Sequence, residues 1–410
     1  MKIYPRKILQ KIKKFLNTPE IIVIHGARQV GKTTLLHMLM QEIQRSSPPS
    51  NIVFFDLEDF ELTELCNRGV KAVVEHLKAK GCNFNQKIWL FIDEIQYLEN
   101  PSSFLKYFFD HYKDKIKLIV SGSSSFALKS KFKESLVGRT FNFELFGLDF
   151  EEFLVFKNLN YDLSTTDKIV TEELKKLFLE YLFYSSYPRV ILEDSLEIKK
   201  SILKQIINTY IKKDIKDLAK IANIDKFNKL LRIIASQSAN LINILELANT
   251  CGISRQTLEN YLMILENTYI IRRISPFYCN LRSELTKMSK VYFEDLGIKH
   301  ILEKGDFPNL LEGPTLETGI FSILRKNIET ENIHFWRTTR KQEIDFILDL
   351  PQGLFAFETK INLRNKDGQI LSAFKKKYPG AQTYLVGLNF VDKKQKIKFL
   401  YPWQILKILG

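Results

Sequence analysis

The chain has 410 residues, enough for about two to four domains that each bury a core. Its apolar share of 45% and charged share of 26% are those of an ordinary soluble globular protein, and no apolar run reaches the ~18 residues of a membrane span. The formal charge of +14 favours polyanions, DNA foremost, as partners; the competing explanation is a Lys- and Ile-rich composition inherited from a biased genome.

Over the first ~150 residues, short apolar runs alternate with helical patterns, as in a doubly wound α/β domain with a parallel sheet. Strands are predicted at Ile21–His25, Ile52–Phe55, Trp89–Ile92, Leu118–Ser121 and Phe141–Leu145. Between the first strand and a helix running to about Ile43 lies Gly26-Ala27-Arg28-Gln29-Val30-Gly31-Lys32-Thr33, a G-x-x-x-x-G-K-T loop in the context it requires. Its glycines let backbone N–H groups, through Thr34, face phosphates at a helix N-terminus. Lys32 then reaches the β- and γ-phosphates of ATP, and Thr33 coordinates Mg²⁺.

The run Trp89-Leu90-Phe91-Ile92 carries Asp93 to the carboxyl end of a buried strand, where it supports the Mg²⁺ shell, and Glu94 is placed to polarise the attacking water. With the additional strand Ile52–Phe55 between the two motifs, this resembles the P-loop branch that includes AAA+ enzymes rather than the kinase–GTPase branch. That branch carries a polar sensor after the strand ending Ser121-Gly122-Ser123, which points to Ser121 first and Ser123 second. Arg139, after Gly138, is a candidate arginine finger acting in trans across a subunit interface, or else one half of a surface ion pair. A homo-oligomer is therefore expected.

From Phe150 to about Asp225 the pattern is helical, broken at Tyr184-Ser185-Ser186-Tyr187-Pro188. Leu245 to Leu262 then reads as helix, turn, helix, with Gly252 in the turn and Ser254 capping the second helix. Arg255 and Asn260 on that helix suit a major groove, and Tyr269–Arg273 with Arg272 and Arg273 suggests a wing. The alternative is a winged helix that only packs against its neighbours.

Beyond Pro314 come one helix and strands at Phe335–Arg337, Ile344–Leu348, Phe355–Thr359 and Thr383–Leu388. Glu317 on the helix, Asp345 on one strand and Glu358-Thr359-Lys360 on the next follow the order of the PD-(D/E)xK nuclease signature. Glu358 and Lys360 share a strand face because the period is two. A hairpin would bring Asp345 beside Glu358 as hard oxygen ligands for Mg²⁺, with Lys360 stabilising the attacking hydroxide or the phosphorane charge. Arg337, Arg340, Lys341 and Lys375-Lys376-Lys377 form a possible backbone cradle. The opposing reading is a nuclease-like fold whose chemistry is lost or unused.

Four scattered cysteines, Cys66, Cys82, Cys251 and Cys279, with no C-x-x-C pair, argue against disulfides or zinc. With no apolar core or cleavage site after the basic stretch Met1 to Lys14, they predict a cytoplasmic protein without a membrane partner. The expected architecture is a multidomain α/β chain. It has a P-loop ATPase domain at 1–150, a helical lid or linker at 151–225, a winged helix at 226–300 and a small restriction-endonuclease-like α/β domain at 301–410.

Nearly the whole chain resembles a prokaryotic family that fuses an AAA-like ATPase to a C-terminal domain of unknown function with winged-helix and nuclease-like parts. The matching residues are Gly26–Thr33, Asp93-Glu94-Ile95-Gln96, Gly138-Arg139, Tyr187-Pro188, Tyr210-Ile211-Lys212-Lys213-Asp214, Leu258–Tyr269 and Trp336-Arg337 through Glu358-Thr359-Lys360. Ser185-Ser186 stands where a glycine pair commonly precedes Tyr-Pro. The resemblance implies ATP binding and, as a proposal only, DNA-related activity. Three functions are open: a DNA-associated ATPase with a metal-dependent nuclease module; a nucleotide-dependent switch or assembly protein whose C-terminal module only binds; and a transcriptional regulator.

Overall fold

A computed structural model describes residues 3–122, 136–209, 223–277, 288–338, 340–390 and 398–409. Ser123, Cys279 and the stretch 210–214 lie outside these residues. The chain divides into two compact units, one formed by the described residues up to Gly147 together with Thr209, and one formed by Leu148–Asn208 and the described residues beyond 222.

The first unit is built on five parallel strands, β1 (Ile21–Gly26), β2 (Ile52–Asp56), β3 (Ile88–Asp93), β4 (Ile116–Gly122) and β5 (Thr140–Leu145), in the order β2-β3-β4-β1-β5. All residues of β3 and β4 are buried, as central strands covered by helices on both faces require. One face packs Val53, Leu90, Ile92 and Leu118 against Val73, Leu77, Leu105 and Phe108. All five strands fall where the hydrophobic pattern put them. In space, however, the strand separating β1 from β3 is β4, while β2 lies at the sheet edge. Chain order and sheet order differ because β2 is laid down with two places between it and β1, β3 and β4 then fill that gap back toward β1, and β5 pairs on the far side of β1.

The second unit holds everything expected as three modules after residue 150. Helices Phe150–Phe156, Lys168–Tyr184, Pro188–Ile191 and Leu196–Thr209 open it. Helices Ile224–Ser236, Ile244–Cys251 and Arg255–Asn267 follow, with a small antiparallel sheet of β6 (Asn240–Leu241), β7 (Ile271–Ile274) and β8 (Lys290–Phe293) in the order β6-β8-β7. Gly252 caps the helix ending at Cys251 at φ 63°, and Ser254 Oγ accepts from the Thr257 amide at 3.1 Å. The sequence pattern did not single out β8, a four-residue strand whose partners are distant in sequence.

A second five-stranded sheet, β9 (Ile333–Arg337), β10 (Glu343–Leu350), β11 (Gly353–Leu363), β12 (Gln382–Phe390) and β13 (Lys398–Leu400), has the order β13-β12-β11-β10-β9. The β9-β10-β11 part is antiparallel and β11-β12-β13 is parallel. The helix Gln369–Lys377 makes the parallel crossover and covers Trp336, Ile344, Ala356 and Leu385 with Leu371 and Phe374. The β9–β10 register slips by one residue between Ile344 and Ile347, an irregularity in the stretch that holds Asp345 and Phe346.

Candidate functional site

The carboxyl ends of β1, β3 and β4 converge on one edge of the first sheet, bringing Gly26, Asp93 and Ser121 together. Ligands of open parallel sheets bind at such an edge. Gly26 is obligatory there, because a Cβ would lie 2.0 Å from the Leu145 carbonyl oxygen of β5. Gly31, at φ 100°, takes a left-handed conformation to open the helix Lys32–Gln44, and Gln29 is also left-handed at φ 61°. Lys32 is buried, and its Nζ donates to the carbonyls of Gly26 and Ala27 at 3.2 and 2.8 Å.

Asp93 is 2% exposed and fully committed. Its Oδ2 accepts from Thr33 Oγ1 at 2.6 Å, while Oδ1 accepts from Ser121 Oγ and from the Glu94 amide at 3.1 Å. Glu94 holds a left-handed backbone at φ 56°, and its carboxylate accepts from the Gln96 side chain. Thr33 and Asp93 are hard oxygen donors side by side at the loop, so they suit Mg²⁺.

Arg139 lies elsewhere. It directly precedes β5, whose Thr140 pairs with Ile21, so it stands at the amino edge of the sheet, opposite its own phosphate loop. Its Nε donates to Asp110 Oδ1 at 2.8 Å, the surface ion pair foreseen as the alternative.

Sequence reasoning assigned no role in this site to two residues, Arg6 and Gln96. Arg6, 8% exposed, donates from Nη1 to the Val30 carbonyl at 2.9 Å and from Nη2 to the Phe146 carbonyl at 2.8 Å, tying the loop to the end of β5. Gln96 orients Glu94; its adjacency in Asp93-Glu94-Ile95-Gln96 was the available signal.

In the second unit, the predicted carboxylates do come together. Asp345 stands opposite Glu358, one step beyond the Phe346–Phe357 pair. Asp345 Oδ2 accepts from the Thr359 amide and Oγ1 at 2.8 and 2.7 Å, and Glu358 Oε1 accepts from Lys360 at 2.5 Å. The centre of the cluster holds Lys290, which the sequence reading did not foresee. Its Nζ lies 2.8 Å from Glu317 Oε1, 2.6 Å from Glu343 Oε1 and 3.7 Å from Asp345 Oδ1. Tyr292 also donates to Glu317 at 2.6 Å.

Burial, then the charge of Asp345, pushes Glu317 up to about 7 and raises Glu358 in the same way. Burial opposes the charge on Lys290, but Glu317, Asp345 and Glu343 outweigh it and raise its pKa. Lys290 and Tyr292 on β8, and Glu343 and Asp345 on β10, are each two residues apart in apolar strands. That alternation was the readable signal.

The acids expected as a Mg²⁺ set, Glu317, Asp345 and Glu358, thus have a lysine ammonium among them. Among the described residues, no three Asp, Glu, His or Cys side chains are grouped to hold a metal ion. The strand expected as part of a wing, Tyr269–Arg273, overlaps β7, which pairs antiparallel with β8. Arg272 and Arg273 lie in β7, where Arg273 pairs with Glu266 at 2.8 Å and Glu259 at 3.3 Å, and Arg272 lies 3.7 Å from buried Glu294. Arg255 and Asn260 are exposed, as are Lys375, Lys376 and Lys377, whereas Arg337 pairs with Glu343 at 2.9 Å.

A glycine-bearing loop between a parallel strand and a helix, with an aspartate–threonine pair at its mouth, defines a P-loop ATPase. Residues 18–154 match the family model described as an AAA domain, which supports a P-loop ATPase domain in this part of the chain. Residues 175–308 match a domain of unknown function (DUF8612), and residues 312–406 another (DUF4143). The chain is 30% identical over 338 residues to the uncharacterized protein MJ1544 of Methanocaldococcus jannaschii, spanning 80% of this chain and 72% of that one, and belongs to its family. An uncharacterized protein of Haemophilus influenzae is 26% identical over 380 residues, spanning 88% and 91% of the two chains. Among solved structures, the Walker-type ATPase PABY2304 of Pyrococcus abyssi aligns at TM-score 0.46 and 15% identity, over 73% of this chain and 96% of that one. No helix among the described residues is long and apolar enough to cross a membrane.

Proposed function

We propose that the chain binds and hydrolyses ATP at the phosphate loop and uses nucleotide state to switch, or assemble, its second unit on a partner. The observation that carries this reading is the Thr33–Asp93–Ser121 network, held ready at the mouth of the loop. Backbone N–H groups of residues 27–34 take the phosphates, and Lys32 leaves the Gly26 and Ala27 carbonyls to pair with them. Thr33 and Asp93 would hold Mg²⁺, which would supply charge neutralisation at the phosphates. Glu94, oriented by Gln96, accepts the proton of the attacking water, and Ser121 fixes Asp93. Arg139 enters such a site only from a second copy of the chain, after releasing Asp110.

The test is ATP binding and turnover by the full chain. Lys32→Ala abolishes binding, whereas Glu94→Gln retains binding and lowers turnover by about 10²- to 10⁴-fold. Turnover by Glu94→Gln at the wild-type rate sinks the assignment of Glu94.

For the partner, DNA is supported by the charge of +14 and by exposed Arg255 and Asn260 on the second helix of the helix-turn-helix. Arg272 and Arg273, paired internally, do not add to that surface. A second reading, a metal-dependent DNA nuclease, is favoured by Asp345 standing opposite Glu358 beside Lys360; Lys290 weighs against it. Plasmid cleavage that needs Mg²⁺ or Mn²⁺ and is lost in Asp345→Ala and Glu358→Ala would establish that reading.

A further inference from the structure

The acid cluster of the second unit is assembled from three separate parts of the chain. Glu317 comes from the helix Gly313–Arg325, Glu343 and Asp345 from β10, and Lys290 from β8 of the small sheet. Lys290 is 2% exposed, so its ammonium has no water to solvate it and takes its solvation from the carboxylates. An ammonium with two oxygens at 2.6 and 2.8 Å and a third at 3.7 Å is held as an ion in an oxygen cage. A divalent ion on the same oxygens would need ligand distances of about 2.0–2.6 Å and would meet the Lys290 charge directly. The two cations cannot share the cage.

The remaining polar atoms fit the same picture. Asp345 Oδ2 is occupied by Thr359, and Tyr292 shares Glu317 Oε1 with Lys290. Glu358, 6% exposed, gives Oε1 to Lys360, while its Oε2 is buried without a hydrogen-bond partner.

We propose that Lys290 is the resident cation of this cluster: it stands where a divalent ion would bind and makes the cluster an ionic clasp between β8 and the C-terminal sheet. This inference does not depend on the ATPase reading and opposes the nuclease reading.

Mn²⁺ binding to the full chain without nucleotide, followed by electron paramagnetic resonance, tests it. Wild type binds no Mn²⁺ that Asp345→Asn removes. Lys290→Met, close in volume but neutral, gains at least about tenfold in Mn²⁺ affinity, and adding Asp345→Asn abolishes the gain. Asp345-dependent Mn²⁺ binding by wild type, or a folded Lys290→Met chain that gains none, overturns the proposal. A companion measurement needs no substitution: reductive methylation read by peptide mass spectrometry. Lys290 stays protected whether or not millimolar Mn²⁺ is present, and labelling that rises with Mn²⁺ also overturns it.

Discussion

Removing the Arg6 side chain tests how the phosphate loop is held. The guanidinium is 8% exposed and bridges two carbonyls, Val30 at 2.9 Å within the loop and Phe146 at 2.8 Å just past β5. A hydrogen bond to a charged group contributes about 1.5–3 kcal/mol, so the pair is worth at most about 3–6 kcal/mol. Water entering the vacated space recovers part of this, and Arg6→Ala is expected to cost about 2–4 kcal/mol. Arg6→Lys keeps the charge but offers a point donor that cannot span both carbonyls, and its cost should be about half.

Because Val30 immediately precedes Gly31, part of the loss falls on the loop itself. Hydrogen exchange at residues 26–33 should accelerate more than exchange in β10, which lies in the other unit. ATP affinity should fall about tenfold, the equivalent of ~1.4 kcal/mol of the total. Wild-type loop exchange together with unchanged ATP affinity in Arg6→Ala would refute the brace and reduce Arg6 to a surface contact.

His300 supplies a pH test. Burial, with Lys299 second, lowers its pKa from 6.5 to about 3, although the Leu182 carbonyl opposes the shift. The folded state therefore prefers the neutral ring. The stability this confers is complete above pH 6.5 and is lost progressively as pH falls from 6.5 toward 3, reaching about 3 kcal/mol by pH 4.5. His300→Asn should flatten urea unfolding between pH 7 and 4.5 relative to wild type; parallel curves would show that His300 does not titrate in that window. Arg273→Ala should cost about 1–2 kcal/mol through its pairs with Glu266 and Glu259 while leaving duplex-DNA affinity unchanged. A drop in DNA affinity without a loss of stability would return Arg273 to a DNA-facing role.

The sequence by itself determined the parts whose information is local. Gly26–Thr33 is contiguous and fixes a loop between a strand and a helix; the apolar run before Asp93 fixes a buried strand with an acid at its end. Ser254 and Gly252 specify a cap and a turn through their own backbone chemistry. The alternation around Asp345 and Glu358 likewise predicted two strands whose acids meet.

Only the tertiary structure decided what each charge is used for. Arg272 and Arg273 read as basic surface until Glu259, Glu266 and Glu294 stand beside them. Arg139 could be set against either its own or another chain's loop until the parallel register put it at the far edge of the sheet, beside Asp110. Lys290 was one lysine among many until β8 carried it into a cage of acids 27 to 55 residues away. Periodicity reports which side of an element is buried, but the partner of a buried charge is set by which distant segments pack together. That is why the phosphate loop was legible before the fold was known, and the character of the C-terminal cluster was not.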